Sequence, residues 1–305
     1  MTETSATPRP AFWKEPEGPR LPRIALMGEF SAGKSTLANL MIGTNPLPVQ
    51  VVATQLPPVW ISYGSQPSVI VDLEGNETEC DLANLDGIDP EETAFIRFYC
   101  EQEILRQCEI IDLPGISDPN MAQDVWARIM PFADGVLWCS PATQAWRQSE
   151  AAVWEEIEDG VQQNSLLVLT RGDMLLTEKD KSKVLKRVRA EAGASFADIL
   201  MISLVLARDA GDDEDMWAQS GADRFVACFL ALVEKIGQGL DPGKTGADAA
   251  QSVVFGAQAD ATENAGDDRA SIVPRRPVRR REAVVETPQA TPPEADPMSY
   301  MPKFS

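Results

Sequence analysis

The sequence predicts an α/β fold: a mostly parallel sheet in the middle of three layers, with helices on both faces. Two observations predict it. Short aliphatic runs alternate with helical patterns from about residue 21 to about residue 236, and the first run leads straight into a glycine-rich turn and a helix. Runs that are apolar throughout read as strands covered on both sides, as in sheets whose parallel strands are joined by crossover helices. The runs lie at 24–27, 59–63, 69–71, 108–111, 136–139, 166–169 and 199–202. Helical patterns follow the glycine-rich turn and recur at about 121–130, 149–158, 177–192 and 222–235. Thr177, three residues before Asp180, is a capping signal for one of these helices, and Ser149 is read the same way for another.

The first run, Ile24 to Met27, opens onto Gly28-Glu29-Phe30-Ser31-Ala32-Gly33-Lys34-Ser35, followed by Thr36. This is a complete G-x-x-x-x-G-K-S phosphate loop between a strand and a helix. The two glycines let main-chain N–H groups curl around an anion at a helix N-terminus. Lys34 then reaches the β- and γ-phosphates, and the Ser35 hydroxyl sits on Mg²⁺. The fold class is therefore that of the P-loop NTPases.

Two further motifs narrow the ligand. The run at 108–111 ends in Asp112-Leu113-Pro114-Gly115, where a P-loop hydrolase needs a carboxylate for Mg²⁺ and a main-chain amide for the γ-phosphate. Asp112 and Gly115 are assigned those roles. The run at 166–169 leads into Thr170-Arg171-Gly172-Asp173. A carboxylate there accepts both N–H groups on the edge of guanine, which adenine lacks, so Asp173 selects GTP and GDP over adenine nucleotides. Arg171 stands where the [N/T]-K-x-D pattern has Lys; its stem and planar head can still lie along a base. Ser203, after the last strand run, is expected to bring its backbone near the base. Thr54 is the expected switch threonine, whose hydroxyl completes the Mg²⁺ shell when γ-phosphate is present. Thr44 competes for that role, although its place after Gly43 suits a helix-end turn better.

GEFSAGKST, the LP…T segment ending in Tyr63-Gly64, IIDLPG and LTRGD together make the chain resemble the dynamin-like GTPases, specifically their bacterial branch. The resemblance covers roughly residues 22–236. It implies a G domain that hydrolyses GTP with Mg²⁺ and is often stimulated when two such domains dimerise across their nucleotide sites. It also implies a monovalent cation, K⁺ or Na⁺, near Ser31 in some members. Lys34, Ser31 and Thr54 are accordingly the residues expected to act in catalysis. Phe30 departs from the pattern, because eukaryotic dynamins carry there a Gln that helps orient the attacking water. A Phe side chain cannot hydrogen-bond water, so two readings stand: a slow GTPase switch, or a GTP-binding scaffold with negligible turnover that partners another dynamin-like chain or a membrane.

Composition sets the remaining expectations. The 305 residues carry a formal net charge of −20, which disfavours nucleic acid as a partner, and contain no histidine, which excludes Ser-His-Asp and Cys-His catalysis. The five cysteines lack metal-site spacing and read as reduced thiols. No signal peptide or membrane-length apolar stretch is found, so a cytoplasmic location is expected, with peripheral contact at the inner membrane as an option. Three regions follow: a disordered arm at 1–20, a dynamin-type G domain at 21–237, and a disordered tail at 238–305. Phe12 and Trp13 could dock the arm on the domain or be incidental. Arg275, Arg276, Arg279, Arg280 and Arg281 form the tail's basic cluster, which suits anionic lipid, an acidic partner or an intramolecular contact equally. A homodimer across G domains, or pairing with a second dynamin-like protein, is the expected assembly.

Overall fold

The computed structural model describes residues 12–13, 20–43, 56–81, 85, 87–117 and 124–240. Among them run nine strands: β1 (Arg23–Gly28), β2 (Val59–Tyr63), β3 (Val69–Asp72), β4 (Glu77–Glu79), β5 (Thr93–Cys100), β6 (Glu109–Asp112), β7 (Gly135–Pro141), β8 (Leu166–Thr170) and β9 (Asp198–Met201). They form one sheet in the order β4-β3-β5-β2-β6-β1-β7-β8-β9. From β6 to β9 every ladder is parallel, and so is β2 with β5. The exceptions are β2 with β6, β3 with β5 and β3 with β4, which are antiparallel. The mostly parallel sheet is thus present, with β4 and β5 as strands that the apolar runs did not reveal.

Side chains alternate across this sheet with period two. Ile24, Leu26, Leu137, Cys139, Leu166 and Val168 enter one core, while Ala25, Met27, Val136, Trp138, Leu167 and Leu169 enter the other. Both cores need a helical cover. Helices α1 (Lys34–Ile42), α6 (Leu204–Asp209), α7 (Glu214–Ser220) and α8 (Ala222–Leu240) close the first; α2 (Asp124–Ala127), α3 (Gln148–Trp154) and α5 (Glu178–Ala192) close the second, with α4 (Asp159–Gln162) beside α3. Phe225, Val226, Phe229, Leu232, Val233 and Ile236 form the buried stripe of α8 at helical spacing. Each contributes about 1.5–3 kcal/mol by leaving water.

Two capping expectations separate. Thr177 caps α5, its hydroxyl accepting the Asp180 N–H at 3.1 Å. Ser149 does not cap its helix: α3 begins after Arg147, whose main-chain N–H donates to the Glu150 carboxylate at 2.9 Å, and the Ser149 hydroxyl turns toward the phosphate loop. Glu150 is fully buried and reaches back as the acid of a capping box, which frees Ser149 for another partner.

Phe12 and Trp13 dock on the second core. Trp13 stacks on Trp60 with ring centroids 4.8 Å apart and planes 11° apart, and the Arg23 guanidinium lies 4.5 Å from the Trp13 ring. Phe12 is buried between Phe95 and Phe132.

The topology also fixes where a ligand can sit. β1 lies between β6 and β7, so the strand order reverses on either side of it, and the carboxyl ends of these strands border a crevice.

Candidate functional site

The chain leaves β1 through Gly28, whose φ is +140°, and a Cβ there would lie 2.1 Å from the Cys139 carbonyl oxygen on β7. Only glycine allows this close approach. The loop closes at Gly33, in the left-handed region at φ +96°, and α1 starts there without a side-chain cap and with no acidic residue in its first turn. Its first N–H groups and positive dipole end are left to an anion. Lys34 is buried, its Nζ donating to the Gly28 carbonyl at 3.2 Å and the Glu29 carbonyl at 3.1 Å.

Asp112 ends β6 beside this loop. Its Oδ2 accepts the Ser35 hydroxyl at 2.9 Å, while its buried Oδ1 has no partner among the described residues. Burial pushes the Asp112 carboxyl up, and nearby Lys34 and the Ser35 hydrogen bond oppose that shift. A hydroxyl next to a carboxylate with a spare buried oxygen fits a hard cation such as Mg²⁺, which needs few protein ligands and keeps several waters. The following segment is fastened to the loop. Ile116 N–H donates to the Gly28 carbonyl at 3.2 Å, and Phe30 N–H donates to the Ser117 hydroxyl at 3.1 Å. A Cβ on Gly115 would sit 2.8 Å from the Phe30 nitrogen, so these two backbones touch.

Thr170, Arg171 and Asp173 lie on the loop's other side. The buried Thr170 hydroxyl donates to the Ala32 carbonyl at 2.7 Å, and Arg171, itself at φ +56°, donates to the Ser31 carbonyl at 2.6 Å. Both residues tie β8 to the phosphate loop. The Asp173 Oδ1 accepts the Ser203 hydroxyl at 2.6 Å, and that same hydroxyl caps α6 by accepting the Leu206 N–H. The Ser203 main-chain N–H is taken by the Ser220 carbonyl, so its side chain is the part that meets the motif.

These segments line one cleft of about 570 Å³. Phe30, Ser31, Ala32, Gly33, Lys34, Ser35, Thr36, Asp112, Gly115, Thr170, Arg171 and Asp173 all face it; Leu56, Pro57, Met174, Leu204 and Val205 supply apolar walls. Gly28 and Glu29 support its floor from behind, and Ser203 lies behind Asp173. Thr54 and its rival Thr44 lie outside the described residues. Reading the sequence missed Ser117, Arg147 and the hydroxyl roles of Ser149 and Ser203. Only Arg147 and Ser149 had a signal in the sequence: an acid, Glu29, inside a loop built for anions, which demands a compensating cation.

A glycine turn at a helix N-terminus, a lysine, a paired hydroxyl and carboxylate, and a second carboxylate at the cleft's far end define a P-loop nucleotide-binding domain of the GTPase type. Residues 24–171 match the Dynamin family. Dynamin-like protein 2 of Campylobacter jejuni is 24% identical over 192 residues, which are 61% of this chain and 31% of that protein. Chains in two structures of an oligomerised bacterial dynamin pair superpose with TM-scores of 0.52 and 0.51 at 18% identity, covering 72% of this chain and 40% and 36% of theirs. The chain therefore spans about a third of the curated relative and about two fifths of the solved ones. No helix among the described residues is long and apolar enough to cross a membrane.

Proposed function

We propose that this chain binds GTP with Mg²⁺, hydrolyses it to GDP and phosphate, and acts as a nucleotide-dependent switch. The convergence of the phosphate loop, Asp112 and Asp173 on one cleft carries this reading. In it, the N–H groups of Gly33, Lys34, Ser35 and Thr36 hold the phosphates. Lys34 exchanges its two carbonyl partners for β- and γ-oxygens, where it stabilises the charge that spreads as water attacks in line. Ser35, Asp112 and Thr54 would hold the metal. Mg²⁺ would supply charge neutralisation for the phosphates there.

Asp173, oriented by Ser203, accepts the two N–H groups of guanine, while Arg171, Leu204 and Val205 border the base. Gly115 reports the γ-phosphate through its amide. Its loss would release the Thr54 and Gly115 segments and change the affinity for a partner. Ser31, by resemblance, lies near a K⁺ or Na⁺ site. Phe30 supports a second reading. It is 65% exposed and carries no group that can orient water, which suits a GTP-binding scaffold with little turnover.

The likeness to a bacterial dynamin pair described as sensing and tethering membranes supports pairing, either with a second copy or with another dynamin-like chain. Arg275 to Arg281 supply a basic segment suited to anionic lipid, at the inner face of the cytoplasmic membrane. The regions at 1–20, 21–237 and 238–305 are the arm, the G domain and the tail of this proposal. Phosphate release measured across a protein concentration series, with and without K⁺, tests it. A steep rise supports a GTPase stimulated by pairing; flat, near-zero release alongside GTP binding supports the scaffold. Lys34→Ala should abolish GTP binding in calorimetry, and equal binding by that variant would refute the site.

A further inference from the structure

Glu29 is an anomaly in a loop that wraps a polyanion. Its side chain is 9% exposed, its own carbonyl holds Lys34 Nζ at 3.1 Å, and its carboxylate lies one side-chain length from that carbonyl. Left alone, this charge would repel phosphate. Two groups at the start of α3 meet it: Arg147 forms an ion pair with Oε2, and the Ser149 hydroxyl donates to Oε1 at 2.8 Å.

Arg147 is itself held in place. Its main-chain N–H donates to Glu150, whose buried carboxylate also accepts Trp138 Nε1 at 3.0 Å and the Ser140 hydroxyl at 2.9 Å. The preceding residue, Trp146, sits at φ +60° and donates its N–H to Ser140. A bulky residue in that region persists only where its surroundings hold it. Arg187 of α5 adds a bond to the Ala145 carbonyl at 2.6 Å. The turn from Ala145 to Arg147 is therefore fixed to β7, α3 and α5, and through Arg147 it grips the phosphate loop.

We propose that Glu29, Arg147 and Ser149 form a charge-compensated clamp that positions the phosphate loop and keeps the floor of the cleft electrically neutral toward a triphosphate. This inference rests on the reading of the cleft as a GTP site. Arg147 and Ser149 are positioning residues, touching the loop rather than the ligand. Charge makes the clamp distinguishable from plain packing, because the two single substitutions at the ion pair act in opposite directions. Arg147→Gln leaves the Glu29 carboxylate buried behind the loop without its cation, and its repulsion of the phosphates grows with ligand charge. Glu29→Gln removes that charge and leaves a cation.

The test is calorimetric titration of the full chain with GDP and with a non-hydrolysable GTP analogue, in Mg²⁺ at low salt, after each variant is shown to unfold cooperatively. Arg147→Gln should weaken the triphosphate on the order of tenfold and the diphosphate by less. Glu29→Gln should bind at least as tightly as wild type, and the double variant Glu29→Gln/Arg147→Gln should recover to within about threefold of it. Arg147→Lys keeps the charge and should bind like wild type, which separates charge from shape should Arg147→Gln fold poorly. Equal losses for both nucleotides in both single variants, with no recovery in the double, would overturn the clamp while leaving the GTP site standing. Wild type that binds neither nucleotide would overturn both.

Discussion

Gly28→Ala is the sharpest test of how the phosphate loop is built. The added Cβ would lie 2.1 Å from the Cys139 carbonyl oxygen and 3.1 Å from its carbon, more than an ångström inside ordinary contact. The obstacle is main chain of β7, registered directly opposite Gly28, so no side-chain rotation relieves it. Alanine at φ +140° also costs about 1–3 kcal/mol of backbone strain, and forced displacement in a packed core adds about 1–3 kcal/mol. A total near 3 kcal/mol should lower the urea midpoint by on the order of 1–2 M. The chain's seven tryptophans report the transition by fluorescence. GTP affinity measured on the folded variant should fall as well, because the loop's first residue has moved. Gly239→Ala is the control: nothing lies within 4 Å of its Cβ and it sits in α8, so it should be neutral or slightly stabilising. An unchanged midpoint together with unchanged GTP affinity in Gly28→Ala would refute the strand-end geometry and the loop assignment built on it.

Ser203→Ala removes both the Asp173 partner and the α6 cap. It should cost about 1 kcal/mol of stability in denaturant titrations and narrow the preference for GDP over ADP in competition binding. Trp13→Ala loses the Trp60 stack and the Arg23 contact, which should together lower stability by about 2 kcal/mol, read from the same urea curves; no change would mean the arm does not dock. Stability should also fall in alkali. Burial pushes the Cys139 thiol up to about 12 and Cys108 higher still, against 9.0 ordinarily. Only the unfolded chain ionises these thiols near pH 9 to 10, so their stabilising contribution is complete below pH 9 and fades as pH rises toward the folded values. Each should account for about 1.4 kcal/mol between pH 8 and 10. Cys108→Ala should remove its share of that slope in unfolding curves at the two pH values, and an unaltered slope would contradict the assignment.

Seven of the nine strands were legible as apolar runs, most of them buried on both faces, although β2 includes Ser62 and β3 is only partly buried. β5 was not, since Arg97 interrupts it and its role is to pair β2 and β3 near the sheet's edge; β4, with its sequence Glu-Thr-Glu, is exposed and carries no apolar signal at all. The short α6 and α7 were hidden because six or seven residues hold fewer than two full turns of pattern; the seven-residue α3 was read only as part of a longer run at 149–158. At the site, spacing pointed to the phosphate loop, Asp112, Gly115 and the Thr170–Asp173 stretch, which the structure brings to one cleft, because motifs fix residue type at fixed offsets. Ser117, Arg147, Ser149 and the Ser203 hydroxyl escaped because their partners lie 87, 118, 120 and 30 residues away in the chain, and any donor of the right reach could have served. Ser149 shows the limit most clearly. Its position suited a helix cap, but Glu150 completed the cap with Arg147, and tertiary geometry gave the hydroxyl to Glu29.

The two hydrogen bonds that join the Gly28 and Phe30 backbone to Ile116 and Ser117 deny the Asp112–Ser117 stretch the freedom of an independent flap. Swinging it outward means giving up both bonds at roughly 1 kcal/mol apiece, and Gly115 has no side chain to wedge the gap open. Whatever force displaces that stretch therefore also tugs at the amides that would cradle the phosphates, so the grip of the loop and the position of the stretch are mechanically geared to each other.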